Sequence, residues 1–294
     1  MESRLGMRLR DHLNSAAERM RNAGIGDPDS ESQIVAAEVI GVSRPRVALL
    51  LDSVPPQGFE ARFEEVIAGR LRRVPLQHLL GVAPFLELDL VVNGDVLVPR
   101  PETEILALRA VEILRREGGA RGAILDVGTG SGCLSIHLAK SLPSFSIQAI
   151  DVSAAALSLA ERNGAVHSPG RIEFRRVDVL GLGPDAFQGL DLVVSNPPYI
   201  PSAEIRALEP EVRDHDPMSA LDGGPDGLVF YRHLADVAVH WVRPGGWILL
   251  ELGDGQADAV GALFRRRGCE VSVEKDLSGR DRVLIVRTSS ACAA

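Results

Sequence analysis

The densest chemical signal in this sequence is the run Asp126, Val127, Gly128, Thr129, Gly130, Ser131, Gly132, which follows the apolar segment 123–127 directly and precedes a helical pattern. Glycines at such a junction let the backbone turn tightly and approach a ligand, and the helix behind them offers unpaired N–H groups. A nucleotide-like ligand fits that arrangement. The dinucleotide spacing G-x-G-x-x-G is not met, because the sixth position from Gly128 is Cys133 and from Gly130 is Ser135. No G-K-[ST] supports a nucleoside triphosphate. Asp126 would repel a pyrophosphate but would suit the ammonium of a methionyl group, which puts S-adenosylmethionine ahead of both alternatives. Gly128, Thr129, Gly130 and Gly132 are the residues expected to wrap it.

Two more acids end apolar segments, Asp151 after 146–150 and Asp178 after 172–177. Asp151 is placed to accept from both ribose hydroxyls and Asp178 to meet an adenine edge. One strand-end Asp is commonly only a cap or turn residue, but three at consecutive strand ends behind one glycine loop point to a shared ligand. The next apolar segment, 190–194, runs into Ser195, Asn196, Pro197, Pro198 and Tyr199. A planar amide or amino nitrogen is a poor nucleophile because its lone pair is delocalised. Two acceptors, the Asn196 side-chain oxygen and the Pro197 carbonyl, can hold both its N–H hydrogens and aim it at a methyl group. Tyr199 can stack on the planar group, and the prolines fix the backbone in advance. No strong base is required if the proton leaves after transfer. Asn196, Pro197 and Tyr199 are therefore the expected catalytic residues, with Pro198 beside the substrate and Asn196 also touching the donor.

These side chains meet only if the elements carrying them share an edge. From Glu102 onward, strand candidates at 123–127, 146–151, 172–178, 190–196 and 247–252 alternate with helical patterns. That is an α/β chain with a parallel, doubly wound sheet covered on both faces. Segments 269–275 and 282–287 flank a short turn, so the last strand is expected to run antiparallel. Residues 1 to about 80 repeat apolar positions at three and four residue steps, a helical unit. Within it Ser30 and Gln33 are read as a capping box, Ser43 as a cap, and 59–71 as a helix whose basic end, Arg70, Arg72 and Arg73, is solvated. Asn93-Gly94 suits a type I′ turn. The resulting organisation is a helical domain 1–83, a linking β-hairpin 84–99 and a catalytic domain 100–290.

The chain of 294 residues carries 32 Lys and Arg against 40 Asp and Glu, a net charge of −8, which disfavours stable nucleic-acid binding. Cys133, Cys269 and Cys292 form no CxxC pair, and the histidines show no ligand spacing, so neither a metal nor a disulfide is expected. No apolar run is long enough for a membrane span, so a cytoplasmic protein, monomeric and without a membrane partner, is expected.

DVGTGSG, the strand-end Asp151 and NPPY resemble the class I methyltransferases that modify planar nitrogens. The resemblance implies a Rossmann-like sheet of seven strands, mostly parallel with an antiparallel last strand, behind a small helical domain. VPLQHLLG (74–81), VLVPRPETE (96–104), EVRDHDPMSALDGGPDGLVFYR (211–232) and DLSGRDRV (276–283) resemble more narrowly the peptide chain release factor glutamine methyltransferases, the HemK/PrmC family, over almost the whole length. What that implies is N5 methylation of the glutamine in the Gly-Gly-Gln motif of class I release factors, with the helical domain recognising the factor. It also implies that Arg100 and Glu102 lie near the substrate. Met218, where the family commonly has Arg, and Asp254 in ELGDGQ, where an aromatic is commoner, are departures. They keep an amino methyltransferase of the same architecture, acting on another protein, a small molecule or nucleic acid, as the alternative.

Overall fold

Period-two burial decides where each strand side chain goes, and in the computed structural model, which describes residues 7–118 and 121–290, it builds one seven-stranded sheet. The strands are β1 (Val82–Phe85), β2 (Leu88–Val91), β3 (Gly122–Val127), β4 (Phe145–Asp151), β5 (Ile172–Arg176), β6 (Leu190–Ser195), β7 (Val242–Glu251), β8 (Glu270–Lys275) and β9 (Asp281–Arg287). The large sheet runs β5-β4-β3-β6-β7-β9-β8, with β3 to β7 parallel and β9 antiparallel to both neighbours. Growth reverses at β3, so the loops after β3 and β6 diverge and leave a crevice at the carboxyl edge.

Ile124, Val194, Leu249 and Ile285 face one core with the helices Pro101–Arg116 and Cys133–Ser141. Leu125, Val193, Leu250 and Leu284 face the other, with Val229–Trp241 and Ala257–Arg265. Burial on both faces is why the strands read as unbroken apolar runs. The same alternation sends two acids, Asp126 and Glu251, to the first face, where both are buried.

The hairpin is β1 with β2, and its turn is Leu86-Glu87 rather than the expected Asn93-Gly94. Burial of Phe85, Leu88 and Leu90 sets this register. Asn93 instead folds its own loop, its Oδ1 accepting from Asp95 N at 3.0 Å, an Asx turn. The hairpin belongs to the compact unit that holds the large sheet, which starts at Val82. Its anchor is the buried amide of Asn163. Nδ2 donates to Val91 O at 3.0 Å and to Ser131 O at 2.9 Å, while Oδ1 accepts from Val91 N at 2.9 Å.

The other compact unit comprises the residues up to Gly81 together with 210–215. Its helices Leu9–Asn22, Pro28–Ile40 and Phe59–Leu71 enclose Leu13, Met20, Val35 and Ile67, with Phe59 stacked on Phe63 at 4.9 Å. The second helix begins before the expected capping box, because Pro28 occupies its first position and Asp27 is the cap, accepting from Ser30 N at 3.4 Å. The basic cluster also departs from the solvated reading. Arg70 is buried against Glu31 at 2.7 Å and Glu211 at 3.2 Å, and Arg73 pairs with Glu211 at 2.6 Å. Only Arg72 is left at the surface, bonded to Ala68 O. Cys292 lies outside the described residues.

Replacing Asn163 by Ala removes three hydrogen bonds and strands both peptide groups of Val91. Denaturant titration should show a loss of about 2–4 kcal/mol. A loss below about 0.5 kcal/mol would mean that packing alone holds the hairpin.

Candidate active site

The crevice at the carboxyl edge encloses about 330 Å³ and is lined by the loops after β3, β4, β5 and β6. Gly128, Gly130 and Gly132 have φ of 73°, 55° and 84°, the left-handed region that favours glycine. At Gly132 a Cβ would also press on Ile136 Cδ1 at 3.0 Å and Ala160. The loop is pinned to its neighbour strand, with the N–H groups of Gly128 and Thr129 both donating to Ile150 O.

Asp126 does not reach the crevice. Its carboxylate is fully buried on the far side of the loop, where Oδ2 accepts from Thr129 Oγ1 at 2.7 Å and Ser135 N at 3.2 Å. These bonds fasten the glycine loop to the helix beneath it. The other carboxylate oxygen, Oδ1, is buried with no hydrogen-bond partner among the described residues. Asp151 and Asp178 do line the crevice. Asp151 Oδ2 accepts from Gly130 N at 3.0 Å and Oδ1 from Ser153 N at 2.9 Å, so the backbone orients the carboxylate and lone pairs remain for two hydroxyls. Asp178 caps the turn 179–181 through Leu180 N at 3.0 Å.

Asn196, Pro197 and Pro198 line the same crevice. Asn196 Nδ2 donates to Thr103 Oγ1 at 3.1 Å, which leaves Oδ1 as the end of the amide offered to a ligand. Thr103 Oγ1 in turn donates to Glu251 Oε2 at 2.7 Å. Behind the tetrad, Gly223 N donates to Ile200 O and Ile200 N to Leu221 O, and Gln256 Nε2 donates to Tyr199 O at 2.9 Å. These contacts give the 211–232 block and ELGDGQ a shared task, holding the tetrad backbone.

Of the residues expected near the substrate, Arg100 lines this crevice and Tyr199 and Glu102 do not. Tyr199 is not in the crevice wall; its ring packs on the core beneath the second sheet face, beside Gly253, where a Cβ would meet its Cδ2 at 2.9 Å. The aromatic in the wall is Phe230, with Leu234 and Leu180. Arg100 does line the crevice, but its Nη2 donates to Asp216 Oδ2 at 2.8 Å, tying down the segment that continues into the wall at Pro217 and Ser219. Glu102 is not among the lining residues.

Residues 107–209 match the methyltransferase small domain and residues 11–81 the PrmC N-terminal domain. A release factor glutamine methyltransferase of Geobacter sulfurreducens is 40% identical over 264 residues, 89% of this chain and 90% of that one. One from Rhodospirillum rubrum is 41% identical over 95% of this chain and 85% of its own. The chain belongs to the release factor glutamine methyltransferase family. Its fold is also that of a methyltransferase from Pyrococcus furiosus, with a TM-score of 0.51 at 18% identity over 78% of this chain and 98% of that one.

Two residues of this family member escaped the reading of its sequence, Thr103 and Glu251. Thr103 sits inside the PRPETE block, and Glu251 ends a strand whose every neighbour on its face is apolar. An acid ending a strand buried on both faces was the available signal. Burial pushes the Glu251 carboxyl up to about 7 and the Asp126 carboxyl up to about 6. It also pushes the Tyr199 hydroxyl and the Cys133 thiol up to about 12, so both stay neutral and Cys133 is no nucleophile. Among the described residues, no group of three or more His, Cys, Asp or Glu could hold a metal ion, and no helix is long and apolar enough to cross a membrane.

The buried Asp126 carboxyl makes stability depend on pH. Below about pH 4 both states carry the neutral acid; between about 4 and 6 only the unfolded chain ionises, so stability falls as pH rises and levels off above. The loss from an ordinary 3.8 to about 6 amounts to about 3 kcal/mol. Asp126→Asn should therefore gain about that much relative to the natural protein between pH 4 and pH 7.5, read from paired denaturation curves. A gap that does not change with pH would show that the hydroxyl and N–H donors cancel the burial.

Proposed function

We propose that this chain transfers the methyl group of S-adenosylmethionine to the side-chain amide nitrogen, N5, of the glutamine in the Gly-Gly-Gln motif of class I peptide chain release factors. The observation that carries the reading is Asn196. Its Nδ2 is engaged by Thr103, so its Oδ1 faces a ligand beside the Pro197 carbonyl, at the edge where the glycine loop lies.

The residues present fit the donor. Asp151 keeps acceptor lone pairs for two ribose hydroxyls, Gly128 and Gly130 leave the loop bare of side chains, and Val177, Leu180 and Phe230 supply an apolar wall next to Asp178 for a flat base. Asp126 acts one step back, by fixing Thr129 and with it the loop. S-adenosylmethionine, when bound, supplies a methyl group on a positively charged sulfur that leaves as a neutral thioether.

Asn196 Oδ1 and Pro197 O each accept one N–H of the glutamine amide, which turns the face of its nitrogen toward the methyl carbon. The nitrogen's electron pair forms the new N–C bond as the C–S bond breaks, and the nitrogen then gives up one proton to water. Two fixed acceptors act most strongly on N–H groups that become more acidic as the nitrogen loses electron density, so they favour the transition state over the bound amide. A carboxylate in place of the glutamine has no N–H to offer and would face both acceptors with negative charge.

The helical unit up to Gly81, which matches the PrmC N-terminal domain, is assigned to recognition of the release factor. The net charge of −8 supports a protein partner over stable binding to nucleic acid. The reading is completed by a cytoplasmic, monomeric enzyme without a metal.

Asn196→Ala should lower kcat by about 10²-fold with donor affinity near that of the natural protein. Asp151→Ala should do the reverse, weakening calorimetric donor affinity by about 1.5–3 kcal/mol. Labelled methyl should map to the Gly-Gly-Gln glutamine and vanish when that residue is Glu. Transfer to another residue, or an Asn196→Ala enzyme at full rate, would move the reaction to the alternative acceptors.

A further inference from the structure

An Asn side chain can face a ligand in two ways that differ by half a turn and almost nothing in shape. One presents the oxygen and accepts; the other presents the NH2 group and donates. Only the first suits an incoming amide, and packing cannot choose between them. Hydrogen-bond polarity can. Thr103 has a single hydroxyl proton, and Glu251 in its carboxylate form, which prevails above about pH 7, can only accept. At 2.7 Å from Glu251 Oε2, that proton is committed. Thr103 Oγ1 is then left as an acceptor, and at 3.1 Å it takes a hydrogen from Asn196 Nδ2.

The environment of Glu251 argues that this polarity is its purpose. The side chain is 1% exposed, and its nearest neighbours on that face of β7 and β9 are Leu249, Val283 and Ile285, among which an apolar residue would be cheaper to bury. Its strand end does not depend on the carboxylate, since the main-chain oxygen of Glu251 is held by Tyr231 Oη at 2.7 Å and Leu252 N donates to Arg282 O at 2.8 Å. Arg282 Nη1 closes the same corner on Leu252 O at 2.9 Å.

We propose that Thr103 and Glu251 are positioning residues that lock the Asn196 amide with its oxygen toward the methyl acceptor, by fixing the direction of both hydrogen bonds in the relay Asn196–Thr103–Glu251. The proposal rests on the reading of Asn196 as acceptor for the substrate amide. Neither residue touches the reacting atoms in this role. What they set is which substrate groups the site can receive: those with N–H to give.

Thr103→Val keeps the shape and removes the relay, whereas Thr103→Ser keeps the hydroxyl. With the full chain and a class I release factor, Thr103→Val should lower kcat about 10-fold while KM and calorimetric affinity for S-adenosylmethionine stay within about twofold, and Thr103→Ser should restore most of the rate. In the Asn196→Ala background Thr103→Val should cost nothing further. In 1H–15N spectra of the protein alone, the Asn196 side-chain NH2 pair, identified by its loss in Asn196→Ala, should lose its protection from exchange in Thr103→Val. Glu251→Gln, whose amide can donate or accept, should lower kcat in the same way, and it carries the test if Thr103→Val melts early. Full activity in Thr103→Val and Glu251→Gln with a slow Asn196→Ala overturns the relay and leaves the function reading standing. Full activity in Asn196→Ala overturns the function reading itself. Additive losses in the double variant would overturn the relay by showing that Thr103 acts independently of Asn196.

Discussion

Backbone runs against backbone where the tetrad leaves β6. A Cβ on Gly227 would come within 2.3 Å of Tyr199 O and one on Gly223 within 2.8 Å of Tyr199 Cα, so these two glycines are required by space and not only by turn geometry. The segment 197–201 is therefore held by main-chain contacts on one side and by prolines along its own length. Acceptor positions defined that way carry little rotamer entropy, and the Pro197 carbonyl in particular has no side-chain freedom to lose when a substrate arrives. The rest of the site serves this constraint: Gln256 fills the bond at Tyr199 O, and Ser202 reaches Asp222 at 2.6 Å to keep the two segments in register.

The same construction occurs twice on one face of the sheet. Asp126 near the end of β3 and Glu251 at the end of β7 both point toward the first turn of a helix, and each meets the third residue of it, Ser135 in one case and Thr103 in the other. Helix N-termini carry partial positive charge, which offsets part of the cost of burying a carboxylate there. In β3 the arrangement stiffens the loop that approaches the donor. In β7 it reaches the group that faces the acceptor. A parallel sheet with helices of one orientation on that face supplies both corners without extra elements.

Much of this was legible because its signals are local. Periodicity gave every strand of the large sheet and the antiparallel final one, and the helix Phe59–Leu71 was read to its ends. Asn93-Gly94 misled because a turn dipeptide competes with the burial of Phe85 and Leu88, and burial of large side chains outweighs turn preference. Tyr199 was read as stacking on the substrate because it ends the tetrad, yet its ring packs against Gly253, a neighbour distant in sequence, where a Cβ would meet it at 2.9 Å. Thr103 and Glu251 stand 148 positions apart, and no pattern along the chain couples residues at that distance. Arg70 and Arg73 look like surface charge until Glu211 is known to belong to the same compact unit.

The order of strands also sets a timetable. Among the described residues β9 follows the other eight strands in the chain, yet it lies between β7 and β8 and not at a border. Until it arrives, β7, the strand that carries Glu251, has an open edge, and Leu252 lacks both of its bonds to Arg282. A chain still emerging from the ribosome thus exposes a long apolar strand edge of the kind that invites pairing with other chains. The wall behind the tetrad closes only when β9 slots into the gap, so completion of the catalytic corner waits on a segment made after every residue it joins.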